Sequence, residues 1–116
     1  EWLDCGNKQA TVNTNKQILE HNGGSTHINA TIKNSKIIQP SFVDDGAFIE
    51  NSIIGPYVSI GKGSKIINSQ INTSIIQQNT KIENSKLNNS MLGNQVLYTG
   101  NGLDQTVSIG DFSRIE

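Results

Sequence analysis

The chain has a single cysteine, Cys5, so no internal disulfide can staple its fold. This is compatible with a reducing compartment, and a cytoplasmic protein is the expectation. Charge is scarce, with 16% charged residues and a formal net charge of −1. That balance provides no basic surface for nucleic acid or an anionic membrane, and neither is expected as a partner. No apolar run approaches the length of a membrane span, and no secretory leader pattern is present. Aromatic residues make up 5% and hydrophobic residues 34%, too little for a globule with one broad core. Methionine is absent at the start, and the expectation is a piece of a longer chain.

What the sequence does contain is a register. Between residues 32 and 92 an aliphatic side chain returns every five or six positions: Ile32, Ile37, Val43, Ile49, Ile54, Ile60, Ile66, Ile71, Ile76, Ile82, Leu87 and Leu92. Two places before each stands Ala, Ser, Thr or Val, from Ala30 and Ser35 through to Ser85 and Ser90. Those four types supply only 28 of the 116 residues, so chance does not explain twelve placements in register. A period near six fits neither a helix, at about 3.6, nor a two-sided strand, at about 2. It fits a chain that runs straight, turns a corner and repeats, as in a hexapeptide parallel β-helix. A larger period agrees, because Asn-Ser pairs begin at Asn34, Asn51, Asn68 and Asn84, in steps of 17, 17 and 16 residues. Three short sides thus make one coil.

Stacked coils should lie about 4.8 Å apart, each backbone pairing with the coil above and below. The narrow triangular interior takes one bulky and one small residue from each side. Serine and threonine at the small positions can bond neighbouring backbone near the corners. The repeated asparagines are expected to stack as a ladder of amides. An Asn-rich disordered segment is the competing reading of 15 asparagines. Disorder, however, has no reason to keep a register. Near the end, Val107 to Ile115 repeats Val58 to Ile66 at an offset of 49, a whole number of coils. The array therefore resumes after Tyr98, with Leu103 closing one side and residues 99–102 bulging out. About five coils result.

Ahead of the coils, Asn7 can N-cap a helix over residues 8–20 with Ala10, Val12, Ile18 and Leu19 as apolar positions. His21-Asn22-Gly23-Gly24 supplies its stop. The order of these parts resembles a known family. Trp2-Leu3-Asp4-Cys5-Gly6-Asn7 followed by a helix is similar to the W-x-D-x-G segment of sugar-1-phosphate nucleotidyltransferases, glucose-1-phosphate thymidylyltransferases in particular. Long-form members of that family continue into a left-handed β-helix of hexapeptide repeats. Left-handedness here is implied by the resemblance and not by the period. The Gly-rich nucleotide loop of the family is absent, and Asn7 stands where many relatives carry threonine.

The resemblance implies an all-β fold, a left-handed parallel β-helix of about five triangular coils preceded by one short α-helix. It divides the chain into residues 1–27, the end of a catalytic domain plus linker, and residues 28–116, the β-helix. It implies a parent enzyme that makes a nucleoside-diphosphate sugar from an NTP and a sugar 1-phosphate, with dTTP and glucose 1-phosphate as the implied pair. Asp4 is its implied magnesium ligand, and Trp2 and Gly6 shape the turn beside it. Magnesium would neutralise charge developing in the in-line displacement of pyrophosphate. Without its partner groups Asp4 forms an incomplete site, so no cofactor and no activity are expected of these 116 residues by themselves. Their role would be structural, spacing and assembling the missing N-terminal catalytic domain.

Two further features bear on function. Phe42, Ile75 and Met91 fall at corresponding outward positions of one side, which suggests an apolar stripe contacting another subunit or the missing domain. A homo-oligomer, a trimer, is the expectation. The rival enzyme class is the hexapeptide-repeat acyltransferases, which use a histidine on the β-helix surface as general base. Here the only histidines, His21 and His27, precede the first coil.

Overall fold

The computed structural model describes residues 8–115. Helix α1 (Lys8–Asn22) comes first, and seventeen short strands follow. Coil one is β1 (Ser25–Thr26), β2 (Thr31–Lys33) and β3 (Lys36–Ile37). Coil two is β4 (Phe42–Val43), β5 (Phe48–Glu50) and β6 (Ile53–Ile54), and coil three is β7 (Val58–Ile60), β8 (Lys65–Ile67) and β9 (Gln70–Asn72). Coil four is β10 (Ser74–Ile76), β11 (Lys81–Glu83) and β12 (Lys86–Asn88), and coil five is β13 (Met91–Leu92), β14 (Leu97–Thr99) and β15 (Asp104–Gln105). β16 (Ser108–Ile109) and β17 (Arg114–Ile115) begin a sixth.

Every third strand pairs in parallel, giving three sheets: β1-β4-β7-β10-β13-β16 (side A), β2-β5-β8-β11-β14-β17 (side B) and β3-β6-β9-β12-β15 (side C). The fold is the expected left-handed parallel β-helix of about five coils. The first coil opens at Ser25, whose strand pairs with β4, and so begins ahead of the expected boundary at residue 28.

The inward column follows the sequence register. On side B, Ile32, Ile49, Ile66, Ile82, Tyr98 and Ile115 lie directly above one another. Ile49, Ile66 and Ile82 are fully buried, as are Ile54, Ile60, Ile76 and Leu92 on the other sides or close to it. The end members Ile32 and Ile37 are only partly covered, because each has a neighbouring coil on one side alone.

The small residues do more than make room. Ser35, Ser52, Ser69 and Ser85 form a vertical hydroxyl ladder at the start of side C. The amide N–H of Ser52 donates to Ser35 Oγ at 3.0 Å, that of Ser69 to Ser52 Oγ at 3.0 Å, and that of Ser85 to Ser69 Oγ at 3.1 Å. Each hydroxyl in turn donates to the carbonyl two residues earlier in its own coil, at 2.8–2.9 Å. Similar links join Ser74 to Ser90 and Ser64 to Thr80. At the corners the strand ladder is interrupted, and an amide buried there without a partner is costly. The hydroxyl of the coil below fills that place. Ser69→Ala is therefore expected to cost about 1–3 kcal/mol, the desolvation penalty of an orphaned Ser85 amide, while Ser69→Thr should cost much less. Urea unfolding of the two variants checks this; equal midpoints for Ala and Thr would show that the hydroxyl is dispensable.

Corners also explain the asparagines. Asn34, Asn51, Asn68 and Asn84 turn the chain from side B to side C with φ between 49° and 54°. Asn79 and Asn89 adopt the same left-handed conformation at the other corners, and Gly46 and Gly63 do so with φ of 72°. Asparagine tolerates this region because its short amide bonds locally, and glycine because it has no Cβ. Thr73 is a poor choice there, being β-branched at φ 48°. Thr73→Asn is expected to stabilise by about 0.5–1 kcal/mol, since the left-handed region costs an ordinary L-residue about 1–2 kcal/mol. A thermal midpoint unchanged or lowered would contradict the strain argument.

Leu103 corrects one expectation. Tyr98 stacks in the column on Ile82 and is 5% exposed, and the interruption comes after it, as expected. Gly100 takes the place of the corner asparagine, donating its amide to Glu83 as Asn84 donates to Ile67. A bulge at Asn101-Gly102-Leu103 then delays side C. Gln105, not Leu103, aligns with Leu87, and Leu103 is left 63% exposed.

Candidate functional site

Two surfaces stand out: the seat of α1 on side A, and the edge where sides B and C meet. α1 crosses side A against β7 and β10. Of its expected apolar positions, Val12 and Leu19 are buried, whereas Ile18 is 51% exposed and Ala10 is exposed. Val12 closes over Met91 with Ile75 alongside. At one end of the helix Lys8 Nζ donates to the Asn89 carbonyl at 2.8 Å, and Asn89 Nδ2 donates to Gln9 Oε1 at 2.6 Å. In the middle Ser59 Oγ donates to Asn15 Oδ1 at 2.8 Å. At the far end the Tyr57 hydroxyl donates to Glu20 Oε2 at 2.9 Å, and Lys16 Nζ lies 4.9 Å from the centre of the Tyr57 ring. The bond to the Glu20 carboxylate raises the Tyr57 phenol above its ordinary value. A raised phenol pKa means that this tether is present below the unfolded value and is lost as pH rises through the folded one. Loosening of the Glu20 end of α1 in strong alkali, read by amide exchange, is the expected consequence; a Tyr57→Phe variant should show no such alkaline step.

This arrangement corrects the reading of Phe42, Ile75 and Met91 as one open stripe. Met91 is wholly buried under Val12, and Ile75 is partly covered. The chain's own helix occupies most of the seat. Only Phe42, 36% exposed, remains at its margin.

Of the two histidines only His21 precedes the coils; His27, expected ahead of the first coil, lies within it, between β1 and β2. His21 lies at the end of α1 and is exposed. His27 follows β1, where the Asn29 amide donates to its Nδ1 at 3.0 Å. Asp45 Oδ1 lies 3.8 Å from the same nitrogen. Among the described residues no group of three His, Cys, Asp or Glu side chains could hold a metal ion. Asp4, the magnesium ligand implied by the resemblance, lies with Trp2 and Gly6 outside the described residues.

Along the edge between sides B and C runs an open groove of about 860 Å³. Asn34, Asn51, Asn68 and Asn84 form one wall; Lys36, Ile53, Gln70 and Lys86 on the outer face of side C form the other; and the serine ladder makes the floor. The expected amide ladder is present in two pairs: Asn34 Nδ2 donates to Asn51 Oδ1 at 2.6 Å, and Asn68 Nδ2 to Asn84 Oδ1 at 3.4 Å. Asn101 and Gly102 of the bulge close one end, where the Gly102 amide donates to the Asn84 carbonyl at 3.0 Å. The asparagine row was legible in its spacing of 16–17 residues, but the groove was not. The outward side-C residues share no single chemistry that a pattern search would register.

Comparison of the chain with protein-family models, with curated proteins and with solved structures gives no match. No helix of the described residues is long and apolar enough to cross a membrane.

Proposed function

We propose that the chain is the C-terminal assembly and spacer domain of a sugar-1-phosphate nucleotidyltransferase whose chemistry resides in a catalytic domain ahead of it. The observation that carries this reading is the junction. α1, the element that follows the Trp2-Leu3-Asp4 segment, is tied to the β-helix at both ends and through its middle. A domain joined through such a helix would be held in fixed relation to the coils, as a spacer requires. The chain order of W-x-D-x-G segment, helix and hexapeptide coils matches the order in that family. The test is a side-by-side assay of the full-length protein: pyrophosphate release from dTTP and glucose 1-phosphate, and consumption of acetyl-coenzyme A. The first alone is expected. Acetyl transfer without pyrophosphate release would replace this reading by the acyltransferase one.

The same domain assembles copies into a homo-oligomer, a trimer, and Phe42 is the part of the former stripe left to do so. Phe42→Glu should reduce the sedimenting mass of the oligomer; unchanged sedimentation would remove Phe42 from any interface.

A further inference from the structure

We propose that the groove between sides B and C binds an extended, hydroxyl-rich glycan chain lying parallel to the axis of the β-helix. Three observations converge on it. First, its wall repeats a side-chain amide once per coil. Each bonded pair, Asn34–Asn51 and Asn68–Asn84, uses one N–H and one oxygen lone pair between its members. A primary amide has two of each, so donors and acceptors remain on every rung for a ligand. A sugar hydroxyl, donor and acceptor at once, is the complementary group. The coil spacing of about 4.8 Å is close to the advance per sugar of an extended β-linked chain, so successive sugars can meet successive rungs.

Second, most side chains lining the groove are polar, and none is a carboxylate. Lys36 and Lys86 are the charged residues that line it, three coils apart on one wall. Hydroxyls are therefore accepted throughout, and carboxylates of a uronate chain would be favoured at two places.

Third, the groove has an end. The bulge at Asn101-Gly102 is a departure from an otherwise regular repeat, and it stands across the top of this one edge. A purely structural asparagine row needs no wall at its end. The left-handed backbone accounts for asparagine at these corners, but glycine would serve that purpose equally.

That last point supplies the experiment. In the double variant Asn51→Gly, Asn68→Gly the corners keep their conformation while the amides are gone. Two probes are titrated into the isotopically labelled 116-residue chain: cellohexaose as a neutral glycan, and a hexamer of galacturonate as an anionic one. Saturable shifts of the Asn51 and Asn68 side-chain amide signals are expected with at least one. The double glycine variant, shown by circular dichroism to keep its fold, should bind about ten-fold or more weakly, as for the loss of two neutral hydrogen bonds. Lys36→Gln with Lys86→Gln should weaken the galacturonate arm and spare the cellohexaose arm. If neither glycan gives saturable shifts, or the shifts fall outside the groove, the proposal is wrong. Binding undiminished in a folded glycine variant would also overturn it. Should that variant fail to fold, the amide shifts of the wild-type chain decide the matter alone. None of these outcomes depends on nucleotidyl transfer by the parent protein.

Discussion

Ile66→Ala is expected to lower stability by about 2–5 kcal/mol, the range for truncating a buried aliphatic side chain. The upper half of that range is the expectation, for a reason particular to this architecture. Ile66 is fully buried between Ile49 below and Ile82 above. In a globule, neighbouring elements can lean into a new cavity. Here the coils are held at strand spacing by backbone bonds along all three sides, so the column cannot shorten. The cavity stays open and its lining loses contacts on both faces. Urea denaturation monitored by circular dichroism measures the effect. A loss under about 1 kcal/mol would mean that the shaft relaxes far more readily than its hydrogen bonds suggest.

Gly55→Ala should be comparably damaging by a different route. Gly55 has φ 106°, a region that residues with a Cβ rarely enter. A Cβ there would run into the carbonyl oxygen of Ile38 in the coil below and into Ser41 Oγ. Backbone strain contributes about 1–3 kcal/mol and the clash a similar amount, giving about 2–6 kcal/mol together. Gly23→Ala is the control. It too has positive φ, 82°, yet its Cβ would meet nothing within 4 Å. Only strain applies, and the loss should be about 1–2 kcal/mol. Equal losses at the two positions would show that coil-to-coil approach at Gly55 is not the limiting contact. Against a total stability of about 5–15 kcal/mol for an ordinary domain, Gly55→Ala could unfold part of the array outright.

Most of this fold could be read from the chain before any coordinates. The twelve aliphatic positions with their small neighbours gave the three-sided coil, and Asn34, Asn51, Asn68 and Asn84 gave its pitch. Both signals are strong because a shaft one side chain wide constrains every inward residue separately. Leu103 misled because a two-residue delay after Thr99 shifts the register, and leucine resembles a core residue wherever it falls. Met91 misled in the opposite sense. It was placed outward on side A, which is correct, but its exposure depended on where α1 lies.

By itself, then, the sequence determined the repeat, the stacking partners and the identity of the column, because period and register are local properties of the chain. The tertiary structure alone decided that α1 covers side A, that each corner serine serves the amide of the next coil's serine, and that an amide-lined groove runs along the edge between sides B and C. Each of these brings together residues from different coils or from the helix. A one-dimensional pattern carries no information on which outward faces become neighbours once the coils are stacked.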